Sequence, residues 1–578
     1  MNGQAGMRKL PELGQPGWTC HAADKAMMDI RPAGKAVWKV EAWPWHVLAF
    51  LFYLGTALAV SWHGTNLRTR LLGEGSDPIA YTWFLAWWPY ALQHHLNPFF
   101  THLVWTPGGL NLGWTTSIPT LALVALPLTV TAGPVLAYDV LMLMAPVCAG
   151  MGAYGLCLYI SRRPMAAIIG GWLFGFSSFA AAHLNQQLNL EWTALLPLLV
   201  WVGLRRINDH SGCLFTVLAL SLLLVAQSGF SLEVFATLIV MAAFAWGLAW
   251  FTVRPMRPRL IVIAADITLA APITFVLMVP MLFAMFGQPH DMHLPKLWPA
   301  FYVTTPLNFF IPTEATWLGG HFFLPVSSRY IGLVCEQGAY LGLPLLFILW
   351  RYLRQGGWFL PLLFGGILLA SCGPELIWGG REMGIPLPWG LMMRLPLIGN
   401  ALPARLMAYA SLVAAIIVSL WLAETTRHWR WVVATLAVLF LWPAQSAVKV
   451  IPFQPLFQPG QIQKAIGHDK NVLILPFGIF SPSMFWQMES GFAFSQAGGY
   501  LGFPPKRVQT NSKIMRLFFG FIDPGVVEAL AVYCQTTHVD DLIVMPGTDQ
   551  RLVDGLRSLQ WPVKFMDGAS IYSVPSLP

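Results

Sequence analysis

The sequence has few charged residues for its length. Only 10% of its 578 residues are charged, while 56% are hydrophobic, and the mean hydropathy is +0.59. An average soluble domain carries about 25% charged residues. A water-soluble chain of this size has too little polar surface to cover so many apolar side chains. The composition therefore excludes a soluble globular protein and predicts a chain that uses lipid as its solvent.

Several other features are missing. The formal net charge is +8, but the basic residues fall in short loops between hydrophobic segments and form no clustered stripe, which excludes nucleic acid as a partner. The seven cysteines contain no CxxC pair, so they do not indicate a zinc site. Internal repeats, which many transporters show, are also absent.

Long apolar stretches are what the sequence has in abundance. A membrane-spanning helix needs about 17 to 25 residues. Several of these stretches are shorter and would need flanking residues to complete the span. The candidate spans lie near 47–62, 116–132, 135–160, 165–182, 192–204, 214–230, 232–252, 260–286, 332–350, 359–372, 404–423 and 431–447.

Basic residues predict the orientation of these spans. Residues 1–45 carry six lysines and arginines and no small-residue cleavage site, which predicts a cytoplasmic N-terminal segment before an uncleaved anchor. Basic pairs such as Arg205-Arg206 also fall on the cytoplasmic side. The loops 63–115, 287–331 and 373–403 and everything after 447 then lie outside.

Twelve crossings from a cytoplasmic N-terminus would return the tail to the cytoplasm, against the charge pattern. Three explanations stay open: a re-entrant segment within 116–160, outward-facing Arg162-Arg163, or an amphipathic 79–96 that dips into the bilayer. We predict an odd count of 11 or 13 spans.

The tail has a different pattern. Short apolar strands at 471–476 and 541–546 and a final hairpin at 563–574 alternate with helical stretches near 506–519, 523–534 and 549–559. This alternation predicts a small α/β domain. The predicted fold is therefore mainly α, a polytopic helical bundle over 46–449 followed by an extracytoplasmic α/β domain over 450–578.

Asp77 is the best candidate for chemistry. It lies in the run Gly73-Glu74-Gly75-Ser76-Asp77-Pro78, in the first polar connection after the first span, and precedes an aromatic helix. Pro78 favours a helix start, so Asp77 has a structural interpretation as an N-cap. As a functional group it would deprotonate an acceptor hydroxyl or hold a divalent metal, with Glu74 as a second acid.

The external motifs resemble those of bacterial multi-span glycosyltransferases of the GT-C superfamily. They include Gly75-Ser-Asp-Pro78 with its aromatic helix and Trp105-Thr-Pro-Gly-Gly109, then Phe174-Gly-Phe-Ser-Ser178, Glu336 with Tyr340-Leu-Gly342, and Leu402-Pro-Ala-Arg405. The resemblance implies a polyprenyl-phosphate-linked sugar donor and a catalytic acid in the first external loop. We assign the role of the catalytic acid to Asp77 first and to Glu74 second.

A donor of this class needs a cation beside its phosphate, and the planar fork of arginine fits phosphate oxygens. The outer-face candidates are Arg394, Arg405 and Arg329, with Arg68 and Arg70 as further ones. Each has the alternative of anchoring a helix end. We also predict substrate contacts for Glu191, at an outer span end, and for His94 and His95, which have the alternative of being interfacial polar groups.

Together these features predict an enzyme of the bacterial inner membrane that transfers a sugar from a polyprenyl-phosphate donor to an acceptor on the outer face. Two alternatives from other classes stay open. One is a transporter or flippase of lipid-linked sugars, and the other is a non-catalytic membrane assembly protein.

Overall fold

The computed structural model describes residues 43–62, 70–184, 186–287, 298–355, 357–395, 398–451 and 453–576. Most of the predicted cytoplasmic segment 1–45, and the candidate Arg68, lie outside these ranges.

The helices of the first half are α1 Trp43–Ser61, α2 Asp77–Gln93, α3 Pro119–Val124, α4 Leu126–Ala132, α5 Pro134–Ser161, α6 Pro164–Gly175, α7 Ser178–His183, α8 Leu188–Glu191, α9 Leu195–Ile207, α10 Cys213–Phe230, α11 Leu232–Thr252, α12 Arg257–Gly287 and α13 Trp298–Phe301.

The second half continues with shorter helices. Before the tail they are α14 Leu324–Ser327, α15 Leu343–Leu353, α16 Phe359–Ser371, α17 Trp389–Met392, α18 Met407–Ala423 and α19 His428–Phe440. In the tail they are α20 Gln461–Ile466, α21 Ser483–Glu489, α22 Lys506–Gln509, α23 Ser512–Phe518, α24 Val526–Thr536 and α25 Gln550–Ser558.

Strands are few, and five of the eleven in the described residues form a single sheet in the tail. Outside the tail sheet they are β1 Arg70–Leu72, β2 Phe100–Thr101, β3 Leu110–Asn111, β4 Glu375–Trp378, β5 Arg381–Pro386 and β6 Val448–Val450. The tail sheet contains β7 Asn471–Leu475, β8 Ser495–Gln496, β9 Asp541–Val544, β10 Val563–Met566 and β11 Ala569–Ser573.

Seven of the helices in the described ranges are long and apolar enough to cross a membrane. They are Trp43–Ser61, Pro134–Ser161, Pro164–His183, Cys213–Phe230, Leu232–Thr252, Arg254–Gly287 and Pro403–Ala423. The chain is therefore a multi-pass membrane protein, as predicted, while the count of 11 or 13 spans stays a prediction.

One predicted span is broken in two. Instead of a single helix over 116–132, the structure has α3 and α4, which meet at Ala125 ahead of Pro127. Ile118, before α3, has a left-handed backbone with φ 43°, so the chain enters this region through a sharp turn. Two helices of 6 and 7 residues are too short to cross a bilayer, which favours the re-entrant explanation.

Three further predicted spans are shorter in the structure. Residues 332–350 are helical only in α15, which starts after Gly342 in a positive-φ conformation of 74°. Residues 431–447 are helical only to Phe440, three residues before Pro443. The helix near 192–204 has 13 residues, from Leu195 to Ile207.

Small residues let the central helices approach closely. A methyl group on Gly175 of α6 would lie 2.5 Å from the carbonyl oxygen of Pro146 in α5. One on Gly170 would lie 3.0 Å from the carbonyl oxygen of Ala415 in α18. Close packing of this kind is how helices associate in lipid, and 16 of the 17 residues of α18 are buried as a result.

The tail folds as the sequence predicts. Its five strands are ordered β10-β11-β9-β7-β8, with β7 parallel to both β8 and β9, and β11 antiparallel to β9 and β10. All residues of β7 and β9 are buried, which explains their uninterrupted apolar sequences. The exact domain boundary at residue 450 stays a prediction.

The first external loop is joined to the tail. Strand β1 pairs with β6, so that Leu71 lies opposite Lys449, and Val104 forms a bridge with Gln496 of β8. The helix α2 was expected to be amphipathic, but 11 of its 17 residues are buried. Its aromatic side chains belong to the same apolar core as the tail sheet, so α2 supports the tail and is no surface helix.

Candidate functional site

Asp77 is the first residue of α2, and it does not cap that helix. The cap position is Ser76, whose side chain makes no capping hydrogen bond, and the Ser76 hydroxyl donates instead to the carbonyl of Ile479. The partly buried Asp77 carboxylate accepts a hydrogen bond of 2.8 Å from the phenol of Tyr500. The structural interpretation of Asp77 as an N-cap is therefore wrong.

Several charges act on Asp77. Burial raises the pKa of its carboxyl above the ordinary value, and the negative charge of Glu336 adds to that shift. The hydrogen bond from Tyr500 and the positive charges of Arg405 and Lys449 oppose it. Because a general base works best with a pKa close to the working pH, this upward shift suits a carboxylate that takes a proton.

Lys449 brings a positive charge to this region from β6. Its ammonium donates to the carbonyl of Gly75, two residues before Asp77. Burial lowers the pKa of Lys449, and the negative charge of Asp77 opposes that shift. The pairing of β1 with β6 therefore places a lysine of the segment before the tail beside the candidate catalytic acid.

Arg405 is bound by two carboxylates from distant segments. Its Nε lies 3.0 and 3.1 Å from the two oxygens of Glu336, and its two terminal nitrogens contact Glu336 and Glu233. Glu233 also accepts from the backbone N–H of Leu402 at 2.7 Å. The exposed side-chain fractions are 16% for Arg405, 3% for Glu336 and 21% for Glu233, so this is a largely buried ion cluster.

His183 completes the cluster. Its Nε2 lies 3.5 Å from a carboxylate oxygen of Glu336, and its Nδ1 contacts the carbonyl of Phe179 at 2.8 Å. Burial alone would raise the pKa of Glu336, but the charges and hydrogen bonds of Arg405 and His183 hold it well below its usual range. Glu336 is therefore ionised, and its charge is neutralised within the protein.

Glu191 is buried nearby without a hydrogen bond. In the described part of the chain, neither of its carboxylate oxygens has a hydrogen-bond partner, and the residue is only 2% exposed. Phe176, Leu184 and Pro443 lie around it and leave no space for a water molecule. Burial raises the pKa of the Glu191 carboxyl well above its ordinary value, which disfavours the ionised form of this side chain.

The remaining predicted residues are not among the groups that bond to Asp77 or act on its charge. His94 and His95 are exposed beyond the other end of α2, about 24 Å away for a helix of this length. Glu74 is exposed in the loop. Arg329 and Arg394 are also exposed.

Within the described residues, no group of three or more His, Cys, Asp or Glu side chains is arranged to hold a metal ion. The donor set around Asp77 consists of a phenol, a lysine and a paired arginine, which do not suit a divalent cation. The alternative role of Asp77 as a metal ligand therefore has no support in this geometry.

The sequence reasoning missed two residues near Asp77. Neither Tyr500 nor Lys449 was predicted as a site residue. The one available signal for Tyr500 was the pair of glycines before it, which let a backbone approach another segment closely.

Comparison with known proteins identifies the fold. No protein-family model matches the sequence, and no curated protein matches it. The structure is similar to that of the arabinofuranosyltransferase AftD from Mycobacteria, with a TM-score of 0.56 and 13% identity, over 92% of this chain and 42% of that one. This chain thus spans less than half the length of AftD.

Two other solved structures also align. The oligosaccharyltransferase of Archaeoglobus fulgidus has a TM-score of 0.49 and 13% identity, over 88% of this chain and 70% of that one. ArnT from Cupriavidus metallidurans has a TM-score of 0.37 and 10% identity, over 93% of this chain and 100% of that one. On the alignment with AftD, the predicted GT-C fold is confirmed.

Proposed function

We propose that this chain is a membrane glycosyltransferase that moves a sugar from a polyprenyl-phosphate-linked donor to an acceptor hydroxyl at the outer face of the membrane. The observation that carries the proposal is the carboxylate of Asp77. It is partly buried at the start of α2, bonded to the neutral phenol of Tyr500, and has a pKa that burial raises. The GT-C fold shared with an arabinofuranosyltransferase supports it.

In the proposed reaction, Asp77 accepts the proton of the acceptor hydroxyl. The acceptor oxygen forms a bond to the anomeric carbon of the donor sugar, while the bond between that carbon and the phosphate oxygen breaks. The electron pair of the broken bond leaves with the polyprenyl phosphate. A positioned carboxylate of this kind typically contributes about 100- to 10,000-fold to the rate.

The leaving phosphate needs a positive charge, and Lys449 suits this role best. Of the two cations that act on Asp77, Arg405 already binds Glu233 and Glu336. Within the described part of the chain, Lys449 donates to the neutral carbonyl of Gly75 and forms no ion pair. Arg394 and Arg329 are exposed and stay candidates for the approach of the donor.

The proposed setting follows from the same arrangement. The loop 63–115 and the segment after residue 449 meet around Asp77, so both lie on one side of the membrane. The positive-inside pattern places that side outside the cytoplasm. We assign the chain to a bacterial inner membrane with its N-terminus in the cytoplasm and its tail outside.

An in vitro transfer assay tests this function. Purified protein in lipid nanodiscs is given a panel of polyprenyl-phosphate sugars, including an arabinofuranosyl donor because AftD is an arabinofuranosyltransferase, with alkyl glycosides as acceptors. We expect transfer from at least one donor, measured by mass spectrometry of the product, with Asp77→Asn protein as the blank. No turnover with any donor would favour a transporter or an assembly protein.

A further inference from the structure

Tyr500 lies where the tail meets the candidate active site. Its hydroxyl donates to a carboxylate oxygen of Asp77 at 2.8 Å, across 423 residues of sequence. Burial and the negative charge of Asp77 raise the pKa of the phenol well above its ordinary value. The phenol therefore keeps its proton and acts as a lasting donor to the carboxylate.

The segment that carries Tyr500 is fixed to the first external loop. The backbone N–H of Gln496 donates to the carbonyl of Leu103 at 2.9 Å, and that of Thr106 donates to the carbonyl of Gln496 at 3.1 Å. Between these bonds, Val104 forms a parallel bridge with Gln496. The loop that follows α2 is thus added to the edge of the tail sheet, a few residues from Tyr500.

Gly499 shows that the backbone here is shaped for one conformation. Its φ is +107°, where residues with a side chain are strained. A methyl group at this position would lie 2.5 Å from the sulfur of Met484 and 3.1 Å from a methyl of Val104. The segment is also held by the hydroxyl of Tyr533, which donates to the carbonyl of Ala497 at 2.6 Å.

We propose that Tyr500 is a positioning residue for Asp77, and that the tail segment 495–502 is therefore a working part of the active site. The proposal rests on the transferase function above and extends it to the role of the tail. The phenol holds the carboxylate in one orientation and, by donating to its charged form, favours ionisation. A hydrogen bond fixed by a sheet edge performs this task better than one from a mobile loop.

The other groups that face Asp77 stay in place when Tyr500 is changed. They are Arg405 and Lys449, which favour the ionised carboxylate, and Glu336, which disfavours it. Tyr81 of the same helix also senses the charge of Asp77, but its hydroxyl donates to Asn189 at 2.5 Å. Removal of the Tyr500 hydroxyl therefore isolates one contribution.

The test compares Tyr500→Phe with Tyr533→Phe. Both variants remove a phenol hydroxyl that bonds to this region, but only Tyr500 contacts Asp77. A catalytic base must be ionised, so transfer falls as pH drops through its pKa. Loss of the Tyr500 donor raises that pKa, and we expect the acid limb of the pH–rate profile to move up by about one pH unit. Tyr533→Phe should leave the limb in place.

A second readout does not depend on transfer. A hydrophobic carbodiimide labels protonated carboxyl groups, so the pH at which Asp77 is half-labelled, read by peptide mass spectrometry, follows its protonation. We expect this midpoint to rise by about one unit in Tyr500→Phe only. Unchanged midpoints and limbs, or equal changes in both variants, would overturn the proposal. A shifted midpoint in protein that transfers no sugar would uphold the contact and refute the transferase function.

Discussion

Asp77 and the Arg405 cluster lie at the same end of the molecule, but their surroundings differ in kind. In the cluster, Arg405 binds Glu233 and Glu336 through three nitrogens, and His183 lies beside Glu336. The charged groups there are paired with one another. Asp77 is partly exposed and bonds to a neutral phenol, so its charge is available to a ligand.

This difference separates structural charges from chemical ones. Buried ions that satisfy each other join distant segments but have no free bonds to offer a substrate. A partly exposed carboxylate with a raised pKa is able to exchange a proton. Arg405 was predicted as a phosphate ligand together with Arg394 and Arg329. Its binding by two carboxylates favours a structural role, and phosphate binding by Arg405 stays a prediction.

The largest expected effect is on stability, and it tests whether the Arg405 cluster is structural. Arg405→Met leaves Glu233 and Glu336 as two buried carboxylates without their cation, and we expect a loss of about 3 kcal/mol in the free energy of unfolding. It is measured by SDS titration of the purified protein in mixed micelles.

Arg394→Met, at an exposed arginine, is the matched control and should change that free energy by less than about 0.5 kcal/mol. An Arg405→Met protein as stable as the wild type would show that the cluster does not hold the helices together. In that case Arg405 would return as a candidate phosphate ligand.

The next prediction tests whether Lys449, beside Asp77, binds the donor phosphate. Lys449→Gln removes the positive charge that we assign to the leaving phosphate, and we expect the KM for the lipid-linked donor to rise about tenfold, since one such contact is worth about 1.4 kcal/mol. Donor titrations of the transfer rate measure this. Lys506→Gln, at an exposed lysine of α22, is the control, and equal KM values for both variants would exclude Lys449 from donor binding.

Glu191 is expected to give the smallest effect. Because burial disfavours the ionised form of its carboxyl, the neutral amide of glutamine is a close mimic, and Glu191→Gln should change the transfer rate by less than about twofold. The rate is measured beside the unfolding free energy of the same protein. A tenfold loss of transfer at unchanged stability would show that Glu191 acts as an ionised group and contacts the substrate.

Local sequence patterns predicted the tail and the start of α2. The apolar runs at 471–475 and 541–544 were predicted as strands because each is short and is flanked by turn and helix signals, and both are strands of the tail sheet. Pro78 correctly predicted the beginning of α2. The broken span at 116–132 was missed because hydropathy counts apolar residues, while the turn at Ile118 and the position of Pro127 set the backbone.

The site could be predicted only in part. Asp77 was found because it follows a span and precedes a helix, which are local features. Its partner Tyr500 is 423 residues away, and Arg405 meets Glu233 and Glu336 from segments 172 and 69 residues distant. Contacts of this kind depend on how the helices and the sheet pack together, so they cannot be predicted from the periodicity of one sequence.

The most direct test of the account is a single-turnover experiment on Asp77→Asn with saturating donor. We predict that this protein binds the donor within about threefold of the wild type and unfolds at the same denaturant concentration, while the chemical step slows by at least about 100-fold. Glu74→Gln, at the exposed neighbouring acid, should react at the wild-type rate. A chemical step of unchanged speed in Asp77→Asn would contradict the account.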